Sequence, residues 1–180
     1  MQQLQREHEH RQKEKEKVNI CVGGILCREN KILLGKRSAH RSFYPHVWDI
    51  IGGHGAGNET PEQTLVRELK EELDVIATEW KLLAVFPDQE PGLNEQYIYY
   101  VYVVTDWIGS PRNILIDEHD AIGWFEIDKA LQLDLALSGY TEVFRRLAEE
   151  IQARKNERKG LPLWKTSKPI VLFYSRLPTV

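Results

Sequence analysis

Glu68, Glu71 and Glu72 stand at i, i+3 and i+4 and so share one face of a helix. Like charges at that spacing cost a helix roughly 0.2–0.5 kcal/mol per pair. A chain keeps such a cluster when water screens it or a cation neutralises it. Three carboxylates in one patch suit a hard divalent ion, Mg2+ or Mn2+. The chemistry they point to is the neutralisation of a dense anion and the activation of a bound water.

The surrounding residues predict a helix that holds these acids at the edge of a core. Thr60 is a good N-cap, Pro61 suits the first helical position, and Gln63 completes a capping box. Leu65, Leu69 and Leu73 form an apolar stripe, with Val66 beside it. At 100° per residue, Leu65 lies about 20° from Glu72, so the acids border the stripe rather than oppose it. That is where residues lining a cleft belong. Ahead of the helix, Gly52, Gly53, Gly55 and Gly57 are four glycines within six residues. They read as a loop, too dense in glycine for a helix or a central strand. Such a loop lets backbone N–H groups approach a phosphate or a metal-bound water.

The stretch from Gly53 to Val75, GHGAGNETPEQTLVRELKEELDV, resembles the Nudix box, G-x5-E-x7-R-E-U-x-E-E-x-G-U with U a bulky apolar residue. Glu59 takes the early acid position, and Arg67-Glu68-Leu69-Lys70-Glu71-Glu72-Leu73 the central run. Asp74 stands where the family has a glycine that ends the helix in a left-handed conformation. Asp tolerates that conformation better than most residues. The resemblance implies an α/β fold, a mixed sheet between helical layers, over about residues 18–154. It also implies metal-dependent hydrolysis of a nucleoside diphosphate linked to another moiety.

It carries roles onto matching residues. Glu68, Glu71 and Glu72, with Gly53, hold Mg2+ or Mn2+. Arg67 orients the acids through a bidentate contact, with Glu59 as its best loop partner. Glu118, ahead of Ile122-Gly123-Trp124, is similar to the acid of the family's E-x5-W loop and is the candidate base or extra ligand. His119 reads as a solvated loop histidine, with proton transfer near neutral pH as its other reading. Lys36, Arg37 and Arg41 are either phosphate contacts or surface cations. Phe43, Tyr44 and Trp48 are candidates to stack a base, and Trp48 also suits the core.

For the substrate, a nucleoside triphosphate is placed ahead of ADP-ribose. Pro91-Gly92 and Glu95 loosely resemble the loop of ADP-ribose enzymes, but residues 1–17 offer no counterpart of their N-terminal sheet. The run from Lys36-Arg37-Ser38 through Trp48-Asp49 to Gly53-His54 is similar to isopentenyl diphosphate isomerases. Those enzymes need a cysteine just before the Gly-His pair, where this chain has Gly52. Binding modules of the same fold typically lose box acids, and this chain keeps them all.

Length and charge set the frame. The chain has 180 residues, enough for one domain with a real core, and a net charge of -3. That charge gives no general drive toward nucleic acid or anionic membrane. No stretch approaches the roughly 20 apolar residues of a membrane span, and the N-terminus lacks the apolar core of a secretory signal. Cys21 and Cys27 read as reduced core residues, as in a cytoplasmic protein. Residues 1–17 form a polar arm. Val18–Cys27 and Lys31–Gly35 predict a hairpin, Val47–Ile51 leads into the glycine loop, and strands are expected over Trp80–Phe86, Gln96–Thr105 and Ala121–Ile127. A turn-rich loop is expected over Pro87–Asn94, a helical turn over Asp128–Leu133 and a helix over Thr141–Arg154. Within the extension 155–180, Pro169–Tyr174 is an apolar stretch that either adds an edge strand or pairs with a second subunit in a homodimer.

Overall fold

The computed structural model describes residues 19–89, 96–156 and 168–171. The polar arm, the Pro91-Gly92 loop with Glu95, and most of the C-terminal extension lie outside the described residues. The strands are β1 (Asn19–Arg28), β2 (Lys31–Arg37), β3 (Trp48–Asp49), β4 (Ile51–His54), β5 (Ile76–Gln89), β6 (Gln96–Ile108), β7 (His119–Glu126) and β8 (Ile170–Val171). The helices are α1 (Pro61–Leu73), α2 (Ile127–Ala130) and α3 (Tyr140–Asn156).

β1 is the hinge of the architecture. It runs parallel to β6 along most of its length and antiparallel to β4 over Cys21–Gly24. It meets β2 only at its end, where Cys27 faces Ile32 and Arg28 faces Lys31. From there β2 departs to pair with β3 and β7. β8 lies parallel to β5 beside Ala84 and Val85, so this part of the extension takes the edge of its own sheet.

Alternation along the strands builds two cores. Ile25, Leu34, Val101 and Val103 face α3, where Val143, Phe144, Leu147 and Ile151 receive them. Val22, Leu26, Leu33, Ile51, Tyr102 and Val104 face α1 and its stripe of Leu65, Leu69 and Leu73. This is the mixed sheet between helical layers that the sequence implies. Leu69 is 0% exposed at the centre of its stripe. Leu69→Ala is therefore expected to destabilise the protein by about 2–5 kcal/mol, read as a lower urea midpoint with an unchanged m-value.

α1 begins and ends as its residues dictate. The Thr60 side chain accepts from Gln63 N, and the Gln63 side chain accepts from Thr60 N. Asp74 adopts the left-handed conformation, φ 57° and ψ 36°, in place of the family glycine. Lys70 and Arg112 both bond its carboxylate. An aspartate thus ends the helix where a glycine would, and its side chain is tied down.

Several boundaries differ from the sequence reading. Gly52 and Gly53 are not in a loop but in β4, opposite Gly23 and Val22. A Cβ on Gly52 would come within 1.9 Å of the Val22 carbonyl oxygen, and one on Gly53 within 2.5 Å of Glu68 Oε1. Glycine is used here for close approach of a strand to its neighbours, not for a turn. β5 starts at Ile76 and runs through Pro87, well beyond Trp80–Phe86. Among the described residues β8 pairs with β5 at Ala84 and Val85, and Pro87 faces Ile98 of β6. β7 begins at His119, two residues earlier than expected, and Ile127 belongs to α2.

Candidate active site

α1 and β4 together place the acids. Arg67 lies at their centre and donates to four residues. Its Nε bonds Glu59 Oε1 at 2.8 Å and its Nη2 bonds Glu59 Oε2 at 3.0 Å, the bidentate pair expected from the sequence. Nη1 bonds Glu68 Oε1 at 2.8 Å and Glu71 Oε2 at 3.0 Å. Nη2 also bonds the His54 carbonyl at 3.0 Å, which ties β4 to the helix. Glu59 is further held by Ala56 N and Thr64 Oγ1. Its bond to Arg67, then that to Ala56 N, lowers its pKa to about 2. The same pairings raise the Arg67 pKa, with Glu59 the largest cause, so its charge is fixed.

Glu72 escapes this neutralisation. It is 4% exposed, and its Oε2 has no hydrogen-bond partner among the described residues. Burial first, then the charges of Glu68, Glu118 and Asp49, raise its pKa to about 9, against a smaller opposing effect of Arg41. Burial also raises the Glu68 carboxyl, with Arg67 opposing. Beside Glu72 lies His119, with Nδ1 3.4 Å from Glu72 Oε2. His119 is 5% exposed, not the solvated loop histidine expected from the sequence. It opens β7 opposite Arg37, across a register shift between Lys36 and Arg37 that turns it inward. Its ring then lies where a side chain on Gly35 would stand. Burial, then Arg37 and Arg41, lower its pKa to about 4. The signal missed was Gly35, whose absent side chain leaves room for the ring.

A cavity of about 430 Å3 opens on the other side of β4. Its walls include Cys21, Phe43, Tyr44, Tyr97, Tyr99 and Tyr140, with Arg37 and Arg41 at the polar end. Gly53 and His54 line it too, so the strand that touches Glu68 is also a wall of the cavity. Tyr140 donates to Asp49 Oδ1 at 2.8 Å and Arg37 Nη1 donates to Asp49 Oδ2 at 2.8 Å. Arg37 also donates twice to the Phe43 carbonyl, at 3.1 Å from Nε and 2.9 Å from Nη2. Its role is to shape the loop after β2. Lys36 pairs with Trp48 and Ala121 in the sheet and does not line the cavity. Trp48 packs edge-on against Phe125 at 4.7 Å and belongs to the core, while Phe43 and Tyr44 reach the cavity. Arg41 reaches it as well, and its Nη1 bonds Glu118 Oε1 at 2.6 Å.

A model of the NUDIX domain matches residues 17–147. The chain belongs to the Nudix family. It is a Nudix hydrolase, an enzyme of pyrophosphate bonds. The CTP pyrophosphohydrolase of Escherichia coli (strain K12) is 34% identical over 116 residues, 64% of this chain and 81% of its own. The 8-oxo-dGTP diphosphatase of Proteus vulgaris is 34% identical over 94 residues, 50% of this chain and 78% of its own. The crystal structure of a MutT NUDIX hydrolase from Burkholderia pseudomallei matches with a TM-score of 0.63 at 27% identity, covering 73% of this chain and 99% of that one.

The Nudix acids fit a hard divalent cation on their own chemistry. Glu59, Glu68 and Glu71 are three carboxyls around one guanidinium, and beside them a buried Glu72 oxygen is left without a donor. Among the described residues no three His, Cys, Asp or Glu side chains are already gathered as a metal set, and Glu68 and Glu71 are paired with Arg67. What the sequence reading missed in this Nudix site is Asp49 with Tyr140, and the pair Tyr97 and Tyr99. Their partners lie 91 residues apart for the first pair, and no local pattern reports such a contact. Among the described residues no helix is long and apolar enough to cross a membrane.

Proposed function

We propose that this Nudix hydrolase cleaves nucleoside triphosphates with the help of Mg2+ or Mn2+. One observation supports this most. Gly53 lines the aromatic cavity on one side and lies against the Glu68 carboxylate on the other. A base seated among Tyr97, Tyr99 and Phe43 therefore has its phosphates at the acids. A cavity near 430 Å3 lies at the small end of ligand pockets and suits one nucleoside. The two relatives are named for CTP and 8-oxo-dGTP, each a single nucleoside triphosphate.

Glu68 and Glu72, with Glu71 and the Gly53 backbone, would hold the cation, which supplies charge neutralisation and a water of lowered pKa. The chain's own residues do the rest. Arg67 holds Glu68 and Glu71 in place and stays charged throughout. The aromatic walls fix the base and exclude water from it. Glu118 stands across from Glu72, close enough for its charge to act there, and takes the proton of the attacking water.

The test is turnover against CTP, other NTPs, dNTPs, oxidised nucleotides, ADP-ribose and dinucleoside polyphosphates, with Mg2+ and with Mn2+. The expected result is kcat/KM highest for a nucleoside triphosphate, and loss of turnover on chelation. A higher kcat/KM for ADP-ribose, or full activity in chelator, overturns the proposal.

A further inference from the structure

Arg41 occupies a place that no other described cation shares. It lines the nucleotide cavity, and its charge acts on both Glu72 and His119. The other cations nearby are committed. Arg67 is spent on Glu59, Glu68, Glu71 and the His54 carbonyl, and Arg37 on Asp49 and the Phe43 carbonyl. Among the described residues, Arg41 alone of these cations is tied through its side chain to a single group, Glu118, at 2.6 Å.

The loop after β2 is built to present it. Arg37 N donates to the Val47 carbonyl and His46 N to the Arg37 carbonyl, closing the base of the loop. Arg41 N donates to the Ser38 carbonyl, a tight turn that aims the side chain back toward β7. Ser38 N donates to the Glu118 carbonyl, which fixes the loop beside Glu118 at 2.9 Å. Arg41 and Glu118 are 36% and 33% exposed, so the pair is open to solvent, and Arg41 lines the cavity. A guanidinium carries five donors, and a phosphate accepts them in the same forked geometry as a carboxylate. A substrate phosphate that takes the Nη1–Nη2 fork of Arg41 bidentately therefore displaces Glu118 from Nη1.

We propose that Arg41 is a positioning residue that holds Glu118 in the free enzyme and exchanges it for the substrate's phosphates, freeing the Glu118 carboxylate only when substrate is bound. The consequence is a base that is masked until there is something to hydrolyse. The inference rests on the proposed role of Glu118 and on a pyrophosphate-containing substrate. It does not depend on which nucleotide is preferred.

The experiment compares Arg41→Ala, Arg41→Lys, Glu118→Gln and the double variant, by KM, kcat and inhibition by inorganic pyrophosphate. Circular dichroism checks that each is folded. Arg41→Ala is expected to raise KM and weaken pyrophosphate inhibition about tenfold or more, the size of a lost charge-assisted contact. Arg41→Lys recovers part of that loss, because a point charge still attracts phosphate. Glu118→Gln is expected to lower kcat while tightening pyrophosphate, since its competitor for Arg41 is gone. The double variant binds pyrophosphate as weakly as Arg41→Ala. An ordinary surface ion pair predicts instead that both single variants leave KM and inhibition within about twofold. That outcome overturns the inference, as does a Glu118→Gln variant that weakens pyrophosphate as much as Arg41→Ala. A screen that favours ADP-ribose overturns the substrate proposal and leaves this one to be decided by the pyrophosphate measurements.

Discussion

Glu72→Gln is expected to lower kcat roughly a hundred- to a thousandfold, the cost of losing one electrostatic group aimed at the reacting phosphates. The side chain keeps its shape, so Leu69 and Leu73 stay packed and the far-ultraviolet circular dichroism is unchanged. The stability outcome sharpens the result. The buried Glu72 carboxyl keeps its proton to about pH 9 in the fold, while its reference value is 4.5. Between those values the unfolded chain releases a proton that the metal-free native state retains. Metal-free wild-type protein therefore loses stability as pH rises from about 4.5 to 9. Glutamine has no such proton, so that part of the loss disappears in the variant. The expected signature is a Tm for metal-free Glu72→Gln that overtakes wild type on the alkaline side, together with weaker Mg2+ binding by calorimetry. Wild-type turnover in the variant would remove Glu72 from the mechanism.

Much of this site is legible because its residues sit close in sequence. The capping box at Thr60, the leucine stripe and the Arg67–Glu59 pair all follow from spacing along one helix and the turn before it. The left-handed Asp74 follows instead from the resemblance, which puts a helix-ending glycine at that position. Residues joined by tertiary contact are harder to read. His119 looks exposed in a run of Asp and Glu, and only its register opposite Arg37, beside the small Gly35, buries it. Gly52 and Gly53 look like a loop because glycine density signals turns, whereas here it signals two surfaces meeting at contact distance. Arg37 looks like a phosphate ligand from its charge, yet Asp49 and the Phe43 carbonyl claim it. The sheet's two-sided core was recoverable from alternation in β1 and β6. The aromatic cavity was not, because its walls come from β1, β4, β6, α3 and the loop after β2.

Arg67→Ala carries the second large effect, and it separates charge from geometry. Removing the guanidinium leaves Glu68 and Glu71 without the cation that holds them and adds their repulsion to that of Glu72. It also frees the His54 carbonyl, so β4 loses its tie to the helix. The expected result is a fall in kcat of roughly a hundredfold or more, comparable to losing a transition-state contact. Arg67→Lys is expected to recover little of it. Lysine supplies the charge, but one ammonium cannot span Glu59, Glu68, Glu71 and the His54 carbonyl at once. A lysine variant near wild-type activity would show that charge alone suffices. The pH dependence of stability gives an independent reading. Glu59 has its pKa lowered from 4.5 to about 2, chiefly by Arg67. A lowered carboxyl contributes stability that is full above about pH 4.5 and lost as pH falls toward 2. The variant lacks most of that contribution at neutral pH and has little left to lose in acid. Wild type and Arg67→Ala should therefore differ most in Tm near neutrality and draw closer as pH falls toward about 2. A gap that narrows in acid would locate that part of the effect in the pairing with carboxylates, while a part that persists at every pH reports the lost tie to the His54 carbonyl.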